Sequence, residues 1–196
     1  MNADLYIQAI QRFQALFARA QTLDIPEPTA MSLATVGSDG RPSVRTVLLK
    51  MVDERGFVFY TNLRSRKGKH LHDNPSASLC FFWQAFMEQV LVEGAVKKVS
   101  DAEADVYWVT RQRASQIGAW ASQQSENLQE RKQLEQRYAD FEQKFEDKPV
   151  PRPSHWSGFR LVPDKIEFWS SRPGRLHERE RFFLKDGIWL RTLIYP

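Results

Sequence analysis

Apolar positions recur along the chain at two spacings, and the switches between them outline its elements. Over residues 4–20, Leu5, Ile10, Phe13, Leu16, Phe17 and Ala20 fall at near-helical intervals, which predicts an amphipathic helix. Pro26 and Pro28 in DIPEPTA stop it, because proline lacks an N–H and disfavours helix in the residue before it. The runs AMSLATV, PSVRTVLLKMV and FVFYTN then read as strands, joined by GSDG and DERG, where glycine and aspartate suit tight reversals. SRKGKHLHDN predicts a short helix ended at Asn74-Pro75, and ASLCFFW and MEQVLVEGAVKKV predict two further strands. Ser100 followed by Glu103 is a capping-box pattern and marks a return to helix. ENLQERKQLEQRYADFEQKF aligns Leu128, Leu134, Tyr138, Phe141 and Phe145 on one stripe of another amphipathic helix. DKPVPRPSHW is a proline-rich loop, after which GFRLVPDKIEFWS and RFFLKDGIWLRTLIY return to strands. Strands early and late, with helices between, predict a mainly β fold of the α+β class: an antiparallel barrel or sheet with flanking helices.

Composition narrows the picture only a little. The 196 residues, 42% hydrophobic and 27% charged, fit one globular domain spanning 1–196. No apolar run approaches the roughly 18 residues of a membrane span, so no membrane association is expected. MNADLYIQAI has no basic stretch leading into an apolar block, which argues against a signal peptide. Cys80 is the lone cysteine, so a reducing, cytoplasmic location is expected. A net charge of +4 suits an anionic small molecule as well as nucleic acid.

The usual chemical signatures are missing: no GxGxxG after a strand, no GxxxxGK[ST], no metal spacing beyond the His70/His72 pair, and no nucleophile beside a base. Cationic clusters are the positive signal. RTVLLK encloses four strand-forming residues between Arg45 and Lys50, and a buried cation requires an anionic partner. RSRKGKH sets Arg64, Arg66, Lys67 and Lys69 at a strand-to-helix junction, an anion site by chemistry, a solvated turn or nucleic-acid patch by the plainer reading. Tyr107, Arg111 and Ser115 lie at i, i+4 and i+8; if one helix runs through them they offer three donors to one phosphate, and otherwise they are a polar face. Arg175, His177 and Arg179 alternate in SRPGRLHERERF and project to one side if the segment is extended.

Together these segments resemble the pyridoxine (pyridoxamine) 5'-phosphate oxidase family. The resemblance runs from about Pro28 to Pro196 and rests on RTVLLK, FYTNLRSRKG, EQV, RQRASQIGAWASQQS, and IEFW followed by RLHER, in that order. It implies an FMN-binding split β-barrel, homodimeric, with FMN in clefts at the subunit interface and a C-terminal dimerisation region at about 155–196. By the resemblance, Arg45, Thr46, Val47, Leu48, Leu49, Lys50, Tyr60, Thr61, Arg66, Lys67 and Gln89 belong to the FMN site. Gln124 and Ser125 join it from the other subunit, and Trp169 and Arg179 complete it. Lys50, Tyr107, Arg111 and Ser115 take the substrate phosphate, and Arg175 and His177 lie over the substrate ring as the catalytic pair. The implied reaction oxidises pyridoxine 5'-phosphate or pyridoxamine 5'-phosphate to pyridoxal 5'-phosphate, with O2 reduced to H2O2.

Three features depart from the family pattern. No arginine-rich, tyrosine-containing segment precedes the first helix, Glu88 stands before Gln89 where a basic residue is common, and Leu193 replaces an arginine near the end. The competing readings are a sister flavin oxidase of the phenazine-biosynthesis type, a non-catalytic flavin- or pyridoxal-phosphate-binding protein, and a nucleic-acid binder using RSRKGKH. The phosphate set argues against the first, Arg175 and His177 against the second. A nucleic-acid binder requires steep salt dependence.

Overall fold

The computed structural model describes residues 3–196. Nine strands join one antiparallel sheet in the order β2-β1-β5-β6-β7-β4-β3, with β8 pairing β7 and β9 pairing β8. The strands are β1 Ala30–Val36, β2 Pro42–Leu48, β3 Met51–Asp53, β4 Gly56–Asn62, β5 Ser76–Trp83, β6 Glu88–Lys98, β7 Trp156–Ser170, β8 Glu178–Lys185 and β9 Ile188–Leu193. Five helices accompany them: α1 Ala3–Thr22, α2 Arg66–Asp73, α3 Asp101–Val109, α4 Arg113–Ala121 and α5 Arg131–Lys144.

β7 organises the sheet. Of its 15 residues, those within 159–170 pair with β6 along one edge, while the other edge is divided: residues 156–161 pair with β4 and residues 165–170 with β8. Divided pairing forces the sheet to curl rather than extend flat. A register shift at Glu93/Gly94 relieves the bend, and Pro163 sits opposite, where a missing N–H costs least. Gly94 is required there: an added Cβ would stand 2.1 Å from the Val162 carbonyl oxygen.

The helical stripe of α1 closes the curled face. Ala9, Ile10, Phe13 and Ala20 are buried, and the Phe13 ring meets Phe57 and Phe81 edge-on, each at 4.8 Å. Ser100 and Glu103 form the capping box expected at the start of α3. Three expectations need correction. The run from Pro42 to Val52 is not one strand: it breaks at Leu49 and Lys50, whose N–H groups donate to Thr29 and Val58 carbonyls, so β2 pairs β1 while β3 pairs β4. The helix at 126–145 begins only at Arg131, leaving Leu128 outside it and exposed. Arg175 lies in a 3₁₀ turn, Pro173–Arg175, with φ 61, so the arginine and histidine of RLHER do not extend a regular strand.

Phe13→Ala is expected to lower the unfolding free energy by about 3–5 kcal/mol, since it empties the centre of the aromatic core. Lys132→Ala, on the exposed face of α5, is expected to stay within about 0.5 kcal/mol. Denaturant titration of both variants compares them directly.

Candidate functional site

A cavity of about 960 Å³ opens between β2, the end of β4, the start of α2 and the α3–α4 turn. Five cations line it, Arg45, Lys50, Arg66, Lys67 and Arg111, and none of its lining residues is Asp or Glu. Unpaired positive charge in a partly buried cleft is costly unless an anion completes it, so the charge pattern alone marks an anion-binding site.

Arg45 projects inward from β2. Its guanidinium donates to the Leu33 carbonyl at 3.1 Å and to the hydroxyls of Thr35 and Ser43, each at 2.7 Å. These neutral acceptors fix its direction without cancelling its charge. Lys67 is buried in the first turn of α2, where Ser65 caps the helix by accepting from the Gly68 N–H. Its ammonium donates to Thr61 Oγ1 at 3.2 Å, Ser65 Oγ at 3.3 Å and Gln124 Oε1 at 3.1 Å. Burial, and then the nearby Arg45 charge, push the Lys67 amine down to about 8. Burial likewise lowers Arg45, with the Arg66 charge adding to it. The Arg66 backbone N–H donates to Ser125 Oγ at 3.1 Å, and Ser125 holds a left-handed φ of 74.

The opposite wall is aromatic. Tyr60 stacks on Tyr107 at 4.1 Å and on Trp156 at 5.2 Å, the latter only 8° from parallel. Gly158, opposite Tyr60 across the β4–β7 ladder, permits this, because a Cβ there would lie 2.7 Å from the Tyr60 ring. Arg111 sits beside the stack, and its Nη1 is buried without a hydrogen-bond partner. Burial lowers the Arg111 pKa, against a smaller opposing influence of Tyr107.

Most residues singled out in the sequence meet here. Thr46, Val47, Leu48, Lys50, Tyr60, Thr61, Tyr107, Arg111, Ser115, Gln124 and Ser125 line the cavity with Arg45, Arg66 and Lys67, while Leu49 points into the core. Tyr107, Arg111 and Ser115 do so without sharing a helix: α3 ends at Val109, α4 starts at Arg113, and the turn between them brings the three together. Gln124 and Ser125, expected from the other subunit, reach the cavity of their own chain. Trp156 lines the cavity too and escaped the sequence reading; its only signal was an aromatic residue at the close of a proline-rich loop.

A second group lies elsewhere. Gln89, Trp169 and Arg179 are side by side across β6, β7 and β8, and the His177 ring packs on Trp169 at 4.7 Å. Arg175 lies two residues before His177, in the 3₁₀ turn. Arg179 is clamped by buried Glu167, at 2.8 Å through Nε and 2.6 Å through Nη2. Glu88 accepts from Ser170 Oγ at 2.7 Å, and Leu193 is exposed opposite Glu180. Trp156 and Trp169 mark the two groups toward opposite ends of β7.

Two family models match successive parts of the chain. Residues 18–145 match the family described as Pyridoxamine 5'-phosphate oxidase, and residues 156–196 match the Pyridoxine 5'-phosphate oxidase C-terminal dimerisation region. A relative from Myxococcus xanthus (strain DK1622), named pyridoxine/pyridoxamine 5'-phosphate oxidase, is 57% identical over 95% of this chain and 91% of its own length. One of the same name from Alkalilimnicola ehrlichii is 52% identical over 96% of this chain and 97% of its own. Among solved structures, PhzG from Burkholderia lata 383, in complex with tetrahydrophenazine-1-carboxylic acid, superposes with a TM-score of 0.91 at 32% identity, covering 95% of this chain and 92% of that one. A pyridoxamine 5'-phosphate oxidase-related, FMN binding protein from Nostoc punctiforme shares the fold, with a TM-score of 0.75 at 19% identity over 95% of this chain and 96% of that one.

The lowered Lys67 pKa predicts how anion affinity depends on pH. Below about pH 8 the free site already holds the proton; above it, anion binding must draw one in, so affinity falls as pH rises past about 8. A phosphomonoester becomes dianionic near pH 6, which places its tightest binding between about pH 6 and pH 8. Titration with a phosphomonoester across pH 5–10 measures this, and Lys67→Met is expected to remove the alkaline fall along with most of the affinity.

Proposed function

Because the chain belongs to the pyridoxamine 5'-phosphate oxidase family, we propose that it oxidises pyridoxine 5'-phosphate or pyridoxamine 5'-phosphate to pyridoxal 5'-phosphate, using FMN and O2. One observation supports this reading most strongly: five cations converge on a cavity without a carboxylate, enough for a cofactor phosphate and a substrate phosphate. Bound FMN supplies the redox chemistry, accepting two electrons from the substrate carbon and passing them to O2 as H2O2.

Arg45, Arg66 and Lys67 would hold the FMN phosphate, with Thr61, Gln124 and Ser125 completing the polar lining. Thr46, Val47, Leu48, Leu49, Lys50 and Tyr60 would border the rest of the cofactor. Lys50, Tyr107, Arg111 and Ser115 would take the substrate phosphate, and the unsatisfied Nη1 of Arg111 fits an acceptor oxygen arriving with the ligand. Orientation is the protein's main contribution, since fixing both ligands in one cleft removes the entropy of bringing them together.

The chain acts as a homodimer, in keeping with its C-terminal dimerisation region. The placement of the second group supports this. None of Gln89, Trp169 and Arg179 lines the cavity of its own chain, so in this reading they serve the cavity of the other protomer. Arg175 and His177 would close over the substrate ring there, positioning and polarising it. The exposed apolar side chains of β8 and β9, Leu184, Ile188 and Leu190, offer area for that contact. No described helix is long and apolar enough to cross a membrane; a single split-barrel domain working in the cytoplasm, with Cys80 reduced, fits this reading.

The phenazine-type neighbour was solved with a carboxylic acid bound, and the four-residue phosphate set of this chain favours the vitamer phosphates. Purified, FMN-loaded protein in air is expected to form pyridoxal 5'-phosphate from at least one of the two vitamer phosphates. Retained flavin with no product from either would move the substrate to a sister activity. Arg111→Ala is expected to lower kcat/KM by roughly 10- to 100-fold, through the loss of charged hydrogen bonds. Arg175→Ala is expected to keep FMN and lose turnover; normal activity in that variant would remove Arg175 from the active site.

A further inference from the structure

We propose that Trp156 is the positioning residue that sets Arg111 for phosphate recognition, holding the guanidinium by a ring face so that its charge and N–H groups stay free for the ligand. The inference rests on reading Lys50, Tyr107, Arg111 and Ser115 as the phosphate subsite.

Arg111 lies in the turn between α3 and α4, where no regular element directs its side chain. Its guanidinium carbon stands 4.7 Å from the Trp156 ring centroid and 5.1 Å from that of Trp108. Trp108 meets Trp156 edge-on at 4.9 Å and is itself anchored, its indole N–H donating to the Val150 carbonyl at 2.8 Å. Trp156 is 5% exposed and stacks on Tyr60, which stacks in turn on Tyr107. One rigid block of rings therefore sets both the phenol of Tyr107 and the guanidinium of Arg111.

The chemistry of the support is the telling feature. Two other well-buried arginines are fixed with carboxylates: Arg160 with Asp53 and Glu103, Arg152 with Asp101 and Asp105. Those pairs neutralise the charge and occupy the donors. Among the described residues no carboxylate pairs with Arg111, and Nη1 has no acceptor at all. An indole face attracts a guanidinium through its quadrupole while taking none of its in-plane N–H groups. Holding by rings thus gives the same orientation as a carboxylate and leaves the full positive charge for an incoming phosphate.

The test compares FMN-loaded wild type with Trp156→Met, which keeps bulk but not the ring, and Trp156→Phe, which keeps a ring. The readout is the ratio of kcat/KM for pyridoxamine 5'-phosphate to that for pyridoxamine, normalised to bound FMN. Trp156→Met is expected to cut this preference about tenfold, mainly through KM, and Trp156→Phe to keep most of it. Equal losses on both substrates, or an unchanged preference in Trp156→Met, would overturn the proposal. Calorimetric binding of inorganic phosphate to the same proteins gives a second readout that needs no turnover. It should weaken about tenfold in Trp156→Met, and equal affinity in the two proteins would count against the positioning role. If wild type oxidises neither vitamer phosphate while phosphate binding still weakens in Trp156→Met, the functional reading falls and the positioning role stands.

Discussion

The pairing of β7 is the constraint on which the rest of the protein depends. One strand carries β6 along most of its length and divides its other edge between β4 and β8. The division curls the sheet around the aromatic core under α1. It also sets Trp156 at one end of the strand and Trp169 toward the other, which keeps Gln89, Trp169 and Arg179 out of the cavity that Trp156 lines. In the proposed reading a second copy brings the two groups together, in keeping with the C-terminal dimerisation region.

The second organising feature is the way positive charge is handled. Arg160, which ties β7 to β3 and α3, is met by carboxylates. Where a cation faces the cavity, its supports are carbonyls, hydroxyls, an amide oxygen or aromatic rings. Arg45 leans on Leu33, Thr35 and Ser43, Lys67 on Thr61, Ser65 and Gln124, and Arg111 on Trp156 and Trp108. None of these supports cancels charge. The consequence appears in the lowered pKa of Lys67, where burial and a like-charged neighbour disfavour the ammonium until an anion arrives. Arg179 departs from this division, since it is a candidate site residue yet Glu167 clamps it, with Arg181 sharing the same carboxylate.

Much of this was legible in the sequence. Period-two and near-helical apolar spacing located the strands and α1, because burial on one face imposes those periods regardless of what the face packs against. Ser100 with Glu103 announced α3, since a capping box is satisfied locally. Two of the basic motifs, RTVLLK and RSRKGKH, supply cavity cations, although the second read equally well as a solvated turn, and the third, SRPGRLHERERF, lies away from the cavity. What the sequence by itself determined, then, was local: periods, caps, and the residue types able to meet phosphate. Tertiary structure decided the rest. The break at Leu49 and Lys50 exists because β2 and β3 pair with different neighbours, a long-range choice with no local signature. The turn joining α3 to α4 unites Tyr107, Arg111 and Ser115 although no single helix does. Trp156 acquires its role only when β7 lies beside β4 and α3 folds over both, for contacts between residues distant in the chain leave no trace in its spacing.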